Sequence, residues 1–594
     1  MNPTPEFYQQ RAKQFKNQRE QVESTIRKYA WGRVALVIIT GVCSYMGFSN
    51  TVLLWPVPLL LAIFIFFIQR QAKQEEKKNL LAFLEKLNTE EANGLLFQAT
   101  EFYNGELYAD LHHSYAHDLD LFGKNSLFQY LNRCGTRLGE SRLARDFKKI
   151  NYTANELKER QAAVRELANH LEFRQQVWAQ GKQLRNLTFD QAELFEWLAE
   201  KPFLLGKPFF TVLRWGLPAF AIAILLLTNY DFGFFPSLIG IMTIQIAIAG
   251  LQAKKIGDLQ RKLSKGKESL SNYARILKQL TLQNFETSLL KHHHQVAVYA
   301  FEKVQEFSKL VNALESRMNP IAMLFGNGLF LYDFHAVCRV EKWRAQHGSE
   351  LPQWLESLAT WDALLAPATM CYNYSNYAFA EYNETNFISG KNIGHPLIST
   401  QERVTNDFNL GNPATVMLIT GANMAGKSTF LRTLGVNYIL GALGSPVCAT
   451  EWSMPLVELR SGMRTADSLQ DHQSYFYAEL YRLQSIMQTL RAGVPLFILL
   501  DEILKGTNST DKQTGSRELI RQLKDLKTLV VLATHDIALG DLESDYPNQI
   551  TNRCFEGNIE NTQLTFDYTL HKGVAQKANA TFLMQKMGIL PAGN

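Results

Sequence analysis

Charge of either sign is missing from one long stretch of this sequence: no Asp, Glu, Lys or Arg lies between Arg33 and Arg70. Cysteine is scarce as well. The six present (Cys43, Cys134, Cys338, Cys371, Cys448 and Cys554) form no C-x-x-C pair. Their scatter argues against a disulfide framework or a cysteine zinc site and fits a reducing compartment for the soluble parts. The run His292-His293-His294 is no substitute for such a site. Consecutive helical residues point in different directions, so the run reads as solvated surface. A strong charge imbalance is absent too. A net charge of +5 over 594 residues gives no general case for a nucleic-acid partner, although a local basic surface stays open.

With 46% hydrophobic and 20% charged residues, the chain reads as folded rather than disordered. Its length suits three or four domains of roughly 150 residues each. The uncharged block is broken near its middle by Ser49-Asn50-Thr51. As one helix it would be ~54 Å long against a hydrocarbon core of ~30 Å, so it predicts a hairpin of two spans. Residues 215–253 repeat the design around Asn229-Tyr230-Asp231-Phe232-Gly233, with Asp231 the only charge. Arg27, Lys28, Arg33, Arg70 and Lys73 bracket the first block, and Lys207, Arg214, Lys254 and Lys255 the second; the connecting turns carry no Lys or Arg. By the positive-inside rule the turns lie outside and the remainder in the cytoplasm, which predicts a multi-pass protein of the cytoplasmic (inner) membrane with a lipid bilayer as partner. The position and length of the first block argue against a cleaved signal peptide. Buried core helices are the competing reading, but uncharged runs this long between basic flanks seldom are that.

Elsewhere the first two thirds are helical in pattern. Residues 72–110, 154–201 and 254–318 keep apolar residues at helical spacing. Near residue 410 the composition changes. The runs TVMLIT, PLFILL and TLVVLAT alternate with helical segments, which predicts strands buried in a parallel α/β sheet.

The first of these strands leads into Gly421-Ala422-Asn423-Met424-Ala425-Gly426-Lys427-Ser428-Thr429, a G-x-x-x-x-G-K-[ST] loop with a helix pattern behind it. Glycines let backbone N–H groups curl around phosphates, and the helix N-terminus adds its positive dipole end. The expected ligand is ATP, with Lys427 reaching its β- and γ-phosphates and the Ser428 hydroxyl ligating Mg²⁺. LFILLDEI ends in two adjacent acids. Asp501 is placed for the Mg²⁺ shell and Glu502 for orienting and polarising the attacking water. TLVVLATHD closes on His535, placed to contact the γ-phosphate or that water.

These residues resemble the MutS family of DNA mismatch-repair ATPases, a branch of the ABC-type ATPases. GANMAGKSTF is similar to that family's G-P-N-M-G-G-K-S-T loop, and Asn423-Met424 separates it from generic phosphate loops. DEILKGTNSTD, THDIAL and ADSLQDHQSYFYAEL resemble further family segments, the last its signature segment. Upstream, DLDLFGKNSLFQYLNRCGTRLGESRLARDF is similar to the start of the family's core, or lever, domain, and GHPLI and FDYTLHKGVAQKANATFLMQKMGI resemble segments flanking the nucleotide fold. The resemblance implies a homodimeric ATPase whose sites are completed across the interface. Ser474 would point at the partner-held γ-phosphate, Asp511 would lie at the shared interface, and the region of His395 would border the adenine.

Departures accompany the likeness. Nothing matches the family's mismatch-reading domain, and a hairpin stands roughly where the lever's clamp would be inserted. His472 replaces a signature glycine, Lys505 an arginine and Leu504 a glycine. The expected fold class is mixed: N-terminal and middle all-α, with lever-type helices and two transmembrane hairpins, then an α/β P-loop ATPase domain of ABC type. The corresponding divisions are an N-terminal helix (1–30), hairpin (31–70), linker (71–117), lever helices (118–208), second hairpin (209–252), further lever helices (253–390) and ATPase domain (391–594). Three functions compete: a membrane-anchored ATPase that binds DNA and acts in mismatch repair, the same engine working on a membrane or protein complex without DNA, and a transporter. Near-absence of ionisable residues from the spans disfavours transport.

Overall fold

The computed structural model describes residues 3–150, 152–185, 191–228, 230–464, 475–505, 507–560 and 563–576. They fall into two compact units, one of Met1–Cys134, Glu140–Gln175 and Ala363–Asn594, the other of Gly135–Gly139 and Gln176–Asp362.

The first unit opens with α1 (Pro5–Gly47), started by the Thr4 side chain accepting from the Phe7 amide and by Pro5 in the first turn. A short turn follows, where the Asn50 side chain accepts from the Val52 amide. The chain then returns as α2 (Val57–Leu95). Tyr8, Phe15, Val22 and Ile26 are the buried residues of the outer half of α1, spaced seven, seven and four apart as a packed helical seam requires. Beyond residue 30 the pattern reverses, and Val37, Ile38, Leu59 and Ile65 are exposed. Trp31 (73% exposed) stands at the start of this apolar stretch and Trp55 (84%) at the turn in its middle. The divisions expected at residues 30 and 70 are therefore changes of composition within continuous helices, α1 running on through Gly32 and α2 through residue 70.

Helices α3 (Arg137–Lys148) and α4 (Ala154–Ala168) follow, the latter opened by a Thr153–Glu156 capping box. Leu119, Leu121, Phe128 and Phe147 share one core cluster with Met417, Ile419, Leu434, Phe497 and Leu499. Residues 118–134 and 140–175 thus fold with the C-terminal α/β region rather than heading a separate lever domain at 118–208, a correction that rests on this shared apolar core.

The second unit is helical. It contains α5 (Pro208–Thr228) and α6 (Phe235–Leu251), with Asp231 in the turn between them accepting from the Gly233 amide. Long helices α7 (Ala253–Thr281) and α8 (Ser288–Glu315) form a pair, followed by α9 (Pro320–Phe330), α10 (Tyr332–His347) and the start of α11 (Leu351–Asn373). Helix α9 is a short apolar element that the sequence reading left inside the 253–390 lever. Of the three histidines on α8 only His292 is exposed. His293 is hydrogen-bonded to Ser357 (2.8 Å) and His294 lies against Phe285, so the solvated-surface reading holds for one of the three. Among the described residues, four segments are by length and composition apolar enough to cross a membrane: Pro5–Gly47, Thr51–Leu95, Pro208–Thr228 and Phe232–Leu251.

The C-terminal part of the first unit begins with β1 (Glu381–Asn383), β2 (Ile388–Ile393) and β3 (Asn406–Leu410). Strand β4 (Val416–Gly421) leads into α12 (Lys427–Ala442), and β5 (Glu451–Pro455) and β6 (Glu458–Gly462) follow. Then come α13 (Tyr475–Arg491), β7 (Leu496–Asp501), α14 (Ser509–Leu523), β8 (Thr528–Thr534), β9 (Ile550–Phe555) and β10 (His571–Lys572). One sheet has the order β10-β9-β4-β8-β7-β6, parallel except at the β10 edge; a second runs β1-β5-β2-β3. Continuous burial of β4 and β8 matches their unbroken apolar runs, as both faces of a parallel sheet are covered.

Candidate active site

Adjacent parallel strands β9, β4, β8 and β7 end side by side, which brings Phe555, Gly421, Thr534 with His535, and Asp501 with Glu502 to one edge of the sheet. At that edge lies a cavity of about 550 Å³. The turn from β4 into α12 forms one wall. Gly421 (φ 151°) has no room for a side chain, since a Cβ would stand 2.6 Å from the Phe555 carbonyl oxygen. Met424 (φ 69°) and Gly426 (φ 104°) are also left-handed. Left-handed residues in such a turn aim successive N–H groups inward as an anion-binding nest.

Lys427 opens α12 and is buried. Its Nζ donates to the carbonyl oxygens of Gly421 and Ala422, 2.9 Å each, and lies 3.3 Å from His535 Nε2. Burial lowers its pKa, opposed by the nearby charges of Glu502 and Asp501. Glu502 is itself left-handed (φ 53°), and its N–H donates to Ala533 O at 2.9 Å. Its carboxylate contacts His535 Nε2 and lies 3.6 Å from Lys505 Nζ. The hydrogen bond with His535 is the main cause that holds its pKa down at about 2.

On the opposite wall, His395 follows β2 and its Nδ1 accepts from the Leu397 amide (3.3 Å). Burial pushes its pKa down to about 4, so the ring is neutral at pH 7. Arg403 braces this wall, donating from Nη2 to Ile398 O (2.7 Å) and from Nη1 to Tyr377 Oη (2.8 Å).

The residues singled out in the sequence mostly converge. Asn423, Met424, Gly426, Lys427, Ser428, Thr429, His395, Asp501 and Glu502 line the cavity. Gly421 and Ala422 hold Lys427, Ala425 is buried beneath the turn, and His535 touches both Lys427 and Glu502. Asp511 does not line the cavity. It sits exposed in the first turn of α14, paired with the capping Asn508 (2.8 Å). Ser474 and His472 lie outside the described residues.

Further residues emerge only from the fold. Tyr568 lines the cavity, and its ring approaches within 3.1 Å of where a Gly426 Cβ would be. Asn406 on β3 holds the Tyr568 segment, donating to Tyr568 O (3.0 Å) and accepting from the Leu570 amide (2.6 Å). Glu479 on α13 accepts from the amides of Leu504 and Lys505, fixing the turn that follows Glu502; burial pushes its carboxyl pKa up. Asp118 accepts from Ser461 Oγ (2.6 Å), the Met463 and Arg464 amides and Arg482 Nη1 (2.9 Å), tying the 118 segment to the end of β6 and to α13. The signals were the FDYTL and YFYAEL tracts and the acids of DLDLFG; Phe555 had none, since only strand order brings it here.

The fold and this site define a class: a parallel-sheet α/β domain with its site at the carboxyl ends of the strands, behind a glycine-bearing strand-to-helix turn. Residues 417–592 match the family model described as MutS domain V. The chain is 29% identical over 282 residues to the DNA mismatch repair protein MutS of Thermotoga neapolitana, covering 46% of this chain and 33% of that protein. It is 30% identical over 261 residues to the DNA mismatch repair protein MutS of Thermotoga maritima (43% and 32%), and 27% identical over 299 residues to MutS protein homolog 4 of Homo sapiens (49% and 31%). Residues 417–592 are thus similar to MutS domain V, and the likeness to these relatives reaches over less than half of the chain. The chain spans about a third of the length of these curated relatives.

Proposed function

We propose that this chain is a membrane-anchored ATPase of the MutS type, binding ATP with Mg²⁺ at the strand-end cavity and hydrolysing it within a homodimer. The observation that carries the reading is the convergence of Lys427, Asp501, Glu502 and His535 on one cavity behind the Gly421–Gly426 turn. The residues suit the ligand pair. A buried ammonium hydrogen-bonded to neutral acceptors, in a turn of inward-facing amides, is a charge held ready for an anion. Ser428 and Asp501 offer hard oxygen donors of the kind Mg²⁺ requires.

Lys427 would neutralise charge on the β- and γ-phosphates, Ser428 and Asp501 would hold the metal, and the wall at His395 would border the base. Bound Mg²⁺ supplies charge neutralisation on the phosphates. Glu502 orients the attacking water. With its pKa near 2 it is a weak base while His535 holds it, so its role is to accept and align a hydrogen bond. His535, shared between Glu502 and Lys427, is placed to transmit the presence of a γ-phosphate to that carboxylate. In the homodimer, Ser474 and Asp511 would complete the partner's site.

The four long apolar helices, exposed along their spans and bordered by Lys and Arg, support anchoring in the cytoplasmic membrane with the α/β region inside. DNA is the proposed load because the relatives carry the name DNA mismatch repair protein. The membrane-length helices favour one alternative, in which the same engine works on a membrane or protein complex without DNA.

The test is ATP turnover by the full chain in detergent against Glu502→Gln, with a fall of about 10²–10⁴-fold expected. Equal rates would overturn the assignment. A titration with homoduplex, mismatched and branched DNA across a salt series then decides the load. Binding that weakens with salt supports DNA, and absence of any such binding selects the alternative.

A further inference from the structure

Helix α9 (Pro320–Phe330) is 11 residues long, about half the length needed to cross a bilayer, and nothing in the sequence from Met318 to Tyr332 is charged. An apolar run this short is ordinarily a buried core helix. Here it is not buried. Ile321 is 69% exposed and Phe325 54%, and Met323, Leu324 and Phe330 are exposed beside them. Soluble surfaces seldom gather so many large apolar side chains on one short element.

Its other side is packed. A Cβ on Gly328 would stand 2.9 Å from Met242 Cε and 3.5 Å from Ile246 Cδ1, so α9 lies directly against α6. Leu329 joins the cluster formed by Ala221, Ile224, Leu238 and Ile241 of α5 and α6. Met242 and Ile246 are nine and five residues from the Leu251 end of α6, hence ~14 and ~8 Å along it. If α5 and α6 span the membrane, a helix seated on Met242 is at hydrocarbon depth as well.

The turn that follows α9 is buried and its backbone is hydrogen-bonded. Irregular backbone is tolerated at hydrocarbon depth only where protein buries it and satisfies its polar groups. The reversal at Leu331 (φ 46°) is fully buried, its N–H donates to Asn327 O (3.2 Å), and the Asn327 side chain accepts from the Asp333 amide (2.9 Å). Arg317 before the helix pairs with Asp333 after it at 3.0 Å, and Tyr332 Oη donates to Ala313 O (2.8 Å). The flanking charges meet each other, so the segment leaves and returns at one place.

We infer that α9 is a re-entrant membrane segment, inserted beside the α5–α6 hairpin from its basic side, with Ile321, Leu324, Phe325 and Phe330 against lipid acyl chains. This rests on the membrane reading of the second hairpin and adds a fifth, non-spanning element to it.

The full chain is reconstituted into vesicles of phosphatidylethanolamine and phosphatidylglycerol containing a phosphatidylcholine with a diazirine in its acyl chain. After irradiation, adducts are mapped by mass spectrometry. Adducts are expected on 320–330 as well as on 208–251, and none at Leu282, an exposed leucine outside both segments. Adducts on 208–251 with none on 320–330 would overturn the inference while leaving the hairpin in the membrane. Adducts on neither segment would remove both the hairpin reading and the inference.

Discussion

Glu502 stands in the left-handed region with its carboxylate on His535, and its low pKa near 2 belongs to that contact more than to any other cause. His535→Ala should therefore let the carboxyl rise toward the ordinary value of 4.5 and move the acid limb of the pH–rate profile upward, while lowering turnover. A profile unchanged in position would show that the two do not communicate. His395 gives a separate signature in stability. Its folded pKa of about 4 lies below the unfolded 6.5, so the unfolded chain binds the extra proton first. Stability should fall as pH drops from about 6.5 to about 4, and His395→Gln should flatten that dependence in urea midpoints. Gly421 and Lys427 were legible because their chemistry is local in sequence. Tyr568, Phe555 and Glu479 were not, because strand order and helix packing bring them to the cavity.

Among the elements, α13 is the one whose position most directly controls the turn after Glu502. Removing the Glu479 carboxylate leaves two backbone amides without their acceptor, at a cost of about 1–3 kcal/mol. Glu479→Ala should lower turnover and stability together, whereas Glu479→Gln should recover part of the stability, because its single amide oxygen can still accept from one of the two amides. Equal loss in both variants would mean that the charge, not the hydrogen bonds, holds the turn. The hairpins were readable from gaps in charge, which is a statement about solvent. Helix ends were not, because α1 and α2 each run on without interruption through the change between charged and apolar composition, α1 even through Gly32. Helix α9 escaped notice for a related reason: it is too short to register as a span, and its exposure is visible only once α6 is in place.

At the scale of the whole molecule, the likeness to MutS covers the α/β region and part of what precedes it, while the long apolar helices have no explanation in that likeness. Segment 118–134 was read as the head of a lever, yet Leu119, Leu121 and Phe128 pack with the sheet. Likeness of sequence says nothing of how the segment packs, since partners far apart in the chain decide that. The proposed function requires the molecule as a whole to hydrolyse ATP while held in a bilayer. The most direct test is to wash membranes containing the intact chain with alkaline carbonate, sediment them, and assay Mg²⁺-dependent ATP turnover in pellet and supernatant beside Glu502→Gln. The account predicts turnover in the pellet that the variant lacks; turnover that stays in the supernatant, or that survives in the variant, would contradict it.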